Sequence, residues 1–86
     1  MYRVVLSPRA ERFYASADRP LARKLARCFR QLEDDPRNHP NIRALRGELA
    51  GYWRYRVSDH RVVYRIDDQA HVVAVAIIAH RREVYE

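Results

Sequence analysis

Cysteine is almost missing from this chain: Cys28 is the only one in 86 residues, which excludes an internal disulfide and a thiolate metal cluster. Two glycines and four prolines supply no low-complexity linker, and the length suits one domain covering residues 1–86. No apolar run reaches the roughly 18 residues that a membrane-spanning helix needs, so no membrane partner is expected. The opening residues, MYRVVLSPRAERFY, go directly into patterned sequence without an apolar leader core, and a cytoplasmic location is expected. His39, His60, His71 and His80 are dispersed, and none has a carboxylate or second histidine at a ligand spacing. Walker loops, dinucleotide glycine motifs and serine nucleophile elbows are missing too. No metal and no cofactor is expected, and any phosphate chemistry would be metal-free.

What is abundant is positive charge. Seventeen basic residues against eleven acidic give a net charge of +6 and a pI near 10.1, and Lys24 is the only lysine among them. Arginine carries a planar fork of donors that matches phosphate oxygens and stacks on bases. A polyanion is therefore the first partner to consider. Charge alone is equally compatible with a solvated basic surface.

Hydrophobic periodicity divides the chain. Tyr2 to Leu6 is short, β-branched and bounded by Ser7-Pro8, and reads as a strand. Ser7 is a good N-cap with Pro8 at the first helical position. Ala10, Phe13, Tyr14 and Ala17 then fall on one helical stripe. After Asp18-Arg19-Pro20, Leu21, Leu25, Cys28, Phe29 and Leu32 continue with a helical period, giving an amphipathic helical hairpin. Cys28 lies on that apolar stripe and reads as a small buried hydrophobe. Asp34-Asp35-Pro36 ends the second helix. Arg37 to Gly51 reads as a loop, tacked to the core by Ile42, Leu45 and Leu49.

The period then changes to two. Trp53 to Val57 and Arg61 to Asp67 read as strands joined by Ser58-Asp59-His60, and His71 to Ile78 reads as a central, almost wholly apolar strand. The expected fold is α+β, in the order β-α-α-β-β-β, with an antiparallel sheet covered on one face by the helical hairpin. That cover buries Trp53, Tyr55, Val62, Tyr64 and Ile66. Alternation puts Arg54, Arg56, Arg61 and Arg65 together on the uncovered face. Guanidinium groups on adjacent strands repel one another, and the strands offer only Asp67 near their ends to relieve them. Anion binding accounts for such a face; a solvated or partner-facing basic surface is the alternative.

The run GYWRYRVSDHRVVYRIDD from Gly51 to Asp68, the preceding Leu45-Arg46-Gly47 and the terminal HRREVY from His80 to Tyr85 resemble the RelE/ParE toxin superfamily of type II toxin–antitoxin systems. The element order is similar throughout, and the HRREVY end resembles the RelE branch of ribosome-dependent ribonucleases. The resemblance implies a RelE-like microbial RNase fold and a toxin that acts as an endoribonuclease on messenger RNA at the ribosome. It implies a RelB-like cognate antitoxin as partner, with DNA contacted only indirectly through that antitoxin.

Carried over by position, the resemblance implies catalytic roles for Arg56, Arg61, Arg81 and Tyr85. RNA contacts would come from Arg54, Arg65, His60, His80 and Arg82. Arginine stands at 54 and 56 where lysine is frequent, and a single residue follows Tyr85 where RelE members often continue into a helix. The reaction implied is attack of the ribose 2′-hydroxyl on the neighbouring phosphodiester, with Arg61 and Arg56 clamping the phosphate. Tyr85 would act as base or stack on a base of the message, and Arg81 or His80 would serve the leaving oxygen. The alternatives are a ParE-like toxin that inhibits DNA gyrase by binding, without catalysis, and a chain that serves mainly as its antitoxin's partner in a repressor complex.

Overall fold

The computed structural model describes residues 1–81. The order is β1 (Arg3–Leu6), α1 (Pro8–Ser16), α2 (Arg19–Asp34), β2 (Ile42–Ala44), a 3-10 turn (Gly47–Leu49), β3 (Trp53–Val57), β4 (His60–Asp67) and β5 (Val72–His80). The strands form one sheet in the order β1-β5-β4-β3-β2. Pairing is antiparallel from β2 through β5, and β1 joins β5 in parallel, with Val4 opposite Val73. The α+β architecture expected from the sequence is present. One expectation fails: the segment 37–51 is not wholly loop, because Ile42–Ala44 pairs with Trp53–Tyr55 as a fifth strand. Three residues are too few to show a period, and Pro40 and Asn41 immediately before them mimic a turn.

Both helices start where a side chain satisfies a free backbone donor. Ser7 Oγ accepts from the Ala10 amide at 3.0 Å, and Asp18 Oδ1 accepts from Leu21 at 3.0 Å. Ser7 does a second job: its hydroxyl donates to the Ala76 carbonyl at 2.7 Å. Ala76 is the extra residue of a bulge in β5, since Val63 pairs with Ile77 while Tyr64 pairs with Val75. The start of α1 is thus pinned to the one irregular point of the central sheet.

The helices cover one face. Leu25, Cys28 and Leu32 of α2 and Ala10 of α1 meet Ile42, Tyr55, Val57, Val62, Tyr64, Val73, Val75 and Ile78 in a single core. Trp53 and Ile66 pack on its border. Cys28 is buried, and burial alone pushes its thiol well above the ordinary range, as expected of a small core hydrophobe. Among the described residues no helix is long and apolar enough to cross a membrane.

Tyr64 is the largest fully buried side chain, and its hydroxyl donates to the Pro36 carbonyl at 2.7 Å. The bond ties the end of α2 to the central strand and satisfies both buried groups. Burial raises the Tyr64 phenol above its ordinary value, so the folded state favours the neutral form. A group with a raised folded pKa adds stability below its unfolded pKa and loses it as pH rises further, here above about 10. Replacing Tyr64 by Phe leaves the Pro36 carbonyl without its donor and should cost about 1–3 kcal/mol. Urea unfolding should show a lowered midpoint with unchanged slope, and the alkaline loss of stability should be smaller in Tyr64→Phe than in the wild type.

Candidate nucleic-acid interface

The face of the sheet turned away from the helices carries the arginines. Directly opposed residues on neighbouring strands point the same way, and three such pairs define the surface. Arg56 of β3 lies opposite Arg61 of β4, Arg54 of β3 opposite Val63, and Arg43 of β2 opposite Arg54. The expected grouping of Arg54, Arg56 and Arg61 is present. Arg65 shares the face but lies beyond Val63, opposite Ala74, where its guanidinium sits 5.3 Å from the Tyr52 ring centroid. That is cation–π geometry and holds Arg65 apart from the other three.

Exposure does not follow the sequence-based expectation. Arg56 and Arg65 are exposed, but Arg54 is only 6% and Arg61 only 7% exposed. Alternation assigns a face, whereas cover depends on what lies beside and above each side chain. β3 and β4 are interior strands, and their long stems lie against neighbouring backbone. Arg54 reaches across the sheet edge and donates through Nη1 to the Asn41 carbonyl at 2.7 Å. The Arg56 amide donates to that same oxygen at 3.0 Å. Arg61 stands between Arg56 and the buried Ala79, and the next residue on its face, Val63, is buried as well. The row is therefore mixed: two fixed, enclosed guanidiniums beside one projecting into solvent.

His60 and His80 occupy the other face. They oppose each other across β4 and β5, with ring centroids 5.4 Å apart at 74°. Phe13 of α1 packs against His60 at 5.6 Å. His60 Nδ1 is enclosed and makes no hydrogen bond. The two histidines expected to contact RNA thus pack toward α1 rather than beside the arginines. Arg81 follows His80 at the end of β5 and is exposed; its amide donates to the Asp59 carbonyl at 2.8 Å. That is the end of the sheet where Arg56 and Arg61 stand. Arg82 and Tyr85 lie outside the described residues.

Sequence reasoning missed Arg43, because β2 was not recognised and a residue in a loop has no face. Its signal was Arg43 one residue after the apolar Ile42, a fragment of alternation too short to read. It missed Tyr55 and His39 as a pair: their rings stack at 5.0 Å and 25° beside the β2 edge. Burial raises the Tyr55 phenol, which keeps it neutral. Among the described residues, no three of His, Cys, Asp and Glu gather in a way that could hold a metal ion.

The contrast between buried and exposed arginines is measurable. Arg54→Ala removes a buried stem and leaves the Asn41 carbonyl with one donor fewer, so unfolding should become easier by about 1–3 kcal/mol. Arg56→Ala removes only an exposed side chain and should stay within about ±0.5 kcal/mol of wild type. Chemical denaturation of the two variants compares them directly, and equal losses would contradict the geometry.

Comparisons with known proteins agree with this architecture. The family model described as the ParE toxin of type II toxin-antitoxin system, parDE, matches residues 4–85. Toxin RelK of Mycobacterium tuberculosis is 41% identical over 58 residues, 65% of this chain and 68% of the relative. Toxin YoeB of Streptomyces coelicolor is 35% identical over 63 residues, 70% of this chain and 75% of the relative. The crystal structure of the RelBE2 toxin–antitoxin complex from Mycobacterium tuberculosis superposes with a TM-score of 0.80 at 27% identity, covering 93% of this chain and 98% of that one. The chain belongs to the ParE toxin family of type II toxin–antitoxin systems, within the RelE/ParE superfamily.

Proposed function

We propose that this toxin is an endoribonuclease that cuts messenger RNA held on the ribosome, in the cytoplasm, and that a RelB-like antitoxin neutralises it. The observation that carries the reading is the opposed pair Arg56 and Arg61, with Arg54 beside them on the same face and Arg81 at the same end of the sheet. Relatives named YoeB and RelK support it, because the curated proteins most like this chain bear RelE-branch toxin names. DNA would be met only through the antitoxin.

The chemistry asks little of acid–base groups. The ribose 2′-oxygen attacks the adjacent phosphorus, its proton leaves, and the 5′-oxygen departs with a proton, giving a 2′,3′-cyclic phosphate and a 5′-hydroxyl. Arg61, enclosed and fixed, supplies a preorganised positive charge for the phosphorane oxygens, worth more where water is excluded. Arg56, exposed on the neighbouring strand, closes on the same phosphate from solvent. Arginine cannot serve as an ordinary base, so proton removal falls to another group. Tyr85 is the candidate, with surrounding arginines favouring its phenolate. His80 faces α1, which favours Arg81 over His80 at the leaving oxygen. The ribosome would add positioning by holding the message ready for in-line attack.

Purified protein should cut mRNA on translating ribosomes, leaving new 5′ ends mapped by primer extension, and should leave the same naked mRNA intact. Arg56→Ala should fold normally and cut at least about tenfold more slowly, the loss of one charged hydrogen bond in the transition state. Tyr85→Phe should slow single-turnover cleavage by about 10- to 10⁴-fold, with ribosome binding little changed. Uncut mRNA together with inhibited DNA supercoiling would instead identify a gyrase-binding toxin.

A further inference from the structure

The arginine face does not stop at β3. Arg43 of β2 stands directly opposite Arg54 and extends the row to the open edge of the sheet. Two open cavities meet there. One, of about 340 Å³, is lined by Arg43, Ala44, Leu45, Arg46 and Arg54. The other, of about 260 Å³, is lined by Pro40, Asn41, Arg43, Arg54 and Arg56. Arg43 and Arg54 form the wall they share. Arg54 is held in that wall by its bond to the Asn41 carbonyl, so one cation of the pair is fixed and nearly enclosed. Arg43 is exposed, and among the described residues neither a hydrogen bond nor an ion pair engages its guanidinium. No carboxylate lines either cavity.

Two like charges placed side by side and left without a carboxylate are destabilising unless an anion joins them. Spacing says which anion. Along β3, Arg54 and Arg56 are two residues apart, about 7 Å of strand, comparable to the step between successive phosphates of an extended RNA strand. A phosphate at Arg56 and Arg61 therefore leaves its neighbour near Arg54 and Arg43. We propose that Arg43, with Arg54, binds the phosphate adjacent to the scissile one, making Arg43 a positioning residue that fixes the register of the message on the toxin. The assignment rests on the ribonuclease reading above. A single strand of regularly spaced monoanions fits two adjoining cavities better than an acidic peptide does, because carboxylates fall at irregular intervals along a chain.

The test uses the whole protein and ribosomes stalled on an mRNA whose exposed codon carries 2′-O-methyl riboses, which block cleavage. Single phosphates of that codon are replaced by uncharged methylphosphonates, and toxin affinity is measured for each. Neutralising the phosphate next to the scissile one should weaken wild-type binding roughly tenfold, as expected for one charged contact. Arg43→Gln should lose a similar factor on unmodified mRNA and become indifferent to that methylphosphonate, while Arg43→Lys should regain part of the loss. An unchanged melting transition excludes a folding defect, and a merely structural role would not produce indifference at one phosphate. Wild-type affinity in Arg43→Gln, or a methylphosphonate effect that persists in it, overturns the proposal while leaving the ribonuclease reading intact. Failure of the wild type to bind programmed ribosomes overturns both. A loss confined to the antitoxin complex would assign Arg43 to an acidic segment of that partner and also overturn the RNA assignment.

Discussion

A two-residue turn at Ser58 and Asp59 decides which face every side chain of β3 and β4 takes, because Val57 pairs with His60 and the register runs back from there. Ser58 adopts φ of 52°, the positive value that tight hairpin turns require at their first position. For a residue with a Cβ this conformation costs about 1–2 kcal/mol. Its hydroxyl accepts from Lys24 of α2 at 2.9 Å, which ties the turn to the helical layer. A slip of one residue would send Tyr55, Val62 and Tyr64 to the open face and push arginines into the core. The core and the interface are two results of one register.

Burying guanidinium groups in a chain this small is expensive, and the sheet answers the cost locally. Arg54 keeps a full-strength bond to a backbone oxygen that already accepts from Arg56. The result is a face with a fixed electrostatic part and an adaptable part. Fixed charges cost little to reorganise when a phosphate arrives, and the exposed ones adjust to its position. Behind them, the Ser7 bonds to Ala10 and to the Ala76 bulge keep α1 and β5 in one relation, so the platform does not shear.

Much of this was legible in the residues. Helical stripes through Ala10 and Phe13 and through Leu25, Cys28 and Leu32 gave the covering layer, and the alternation of Trp53, Tyr55 and Val57 with Arg54 and Arg56 gave the two faces of β3. Ser7-Pro8 and Asp18 announced the helix starts through cap chemistry that is local in sequence. What was hidden depends on distant contacts. β2 is made by its partner rather than by its own three residues, so Arg43 could not be assigned to a face. The enclosure of Arg54 and Arg61 reflects neighbours brought in by the sheet, which alternation does not encode. The edge-to-face pair of His60 and His80 joins residues 20 apart, and nothing in either local sequence marks it.

β1 lies beside β5, and the amide of Ser7 donates to Val75 at 2.8 Å, so the first strand of the chain is hydrogen-bonded to the last. β5 in turn separates β1 from β4 in the strand order. A nascent chain therefore lacks the strand that joins β1 to the hairpin until synthesis is nearly complete. The loop-closure entropy of that pairing must be met before the contact returns anything, so the sheet assembles late. During translation the helical segment precedes β5 and has only part of its apolar surface to pack against. Folding competence thus arrives with the final residues, after the chain has passed through the machine it is proposed to attack. A truncated product would carry the arginines of β3 and β4 without the strand that sets them in one surface.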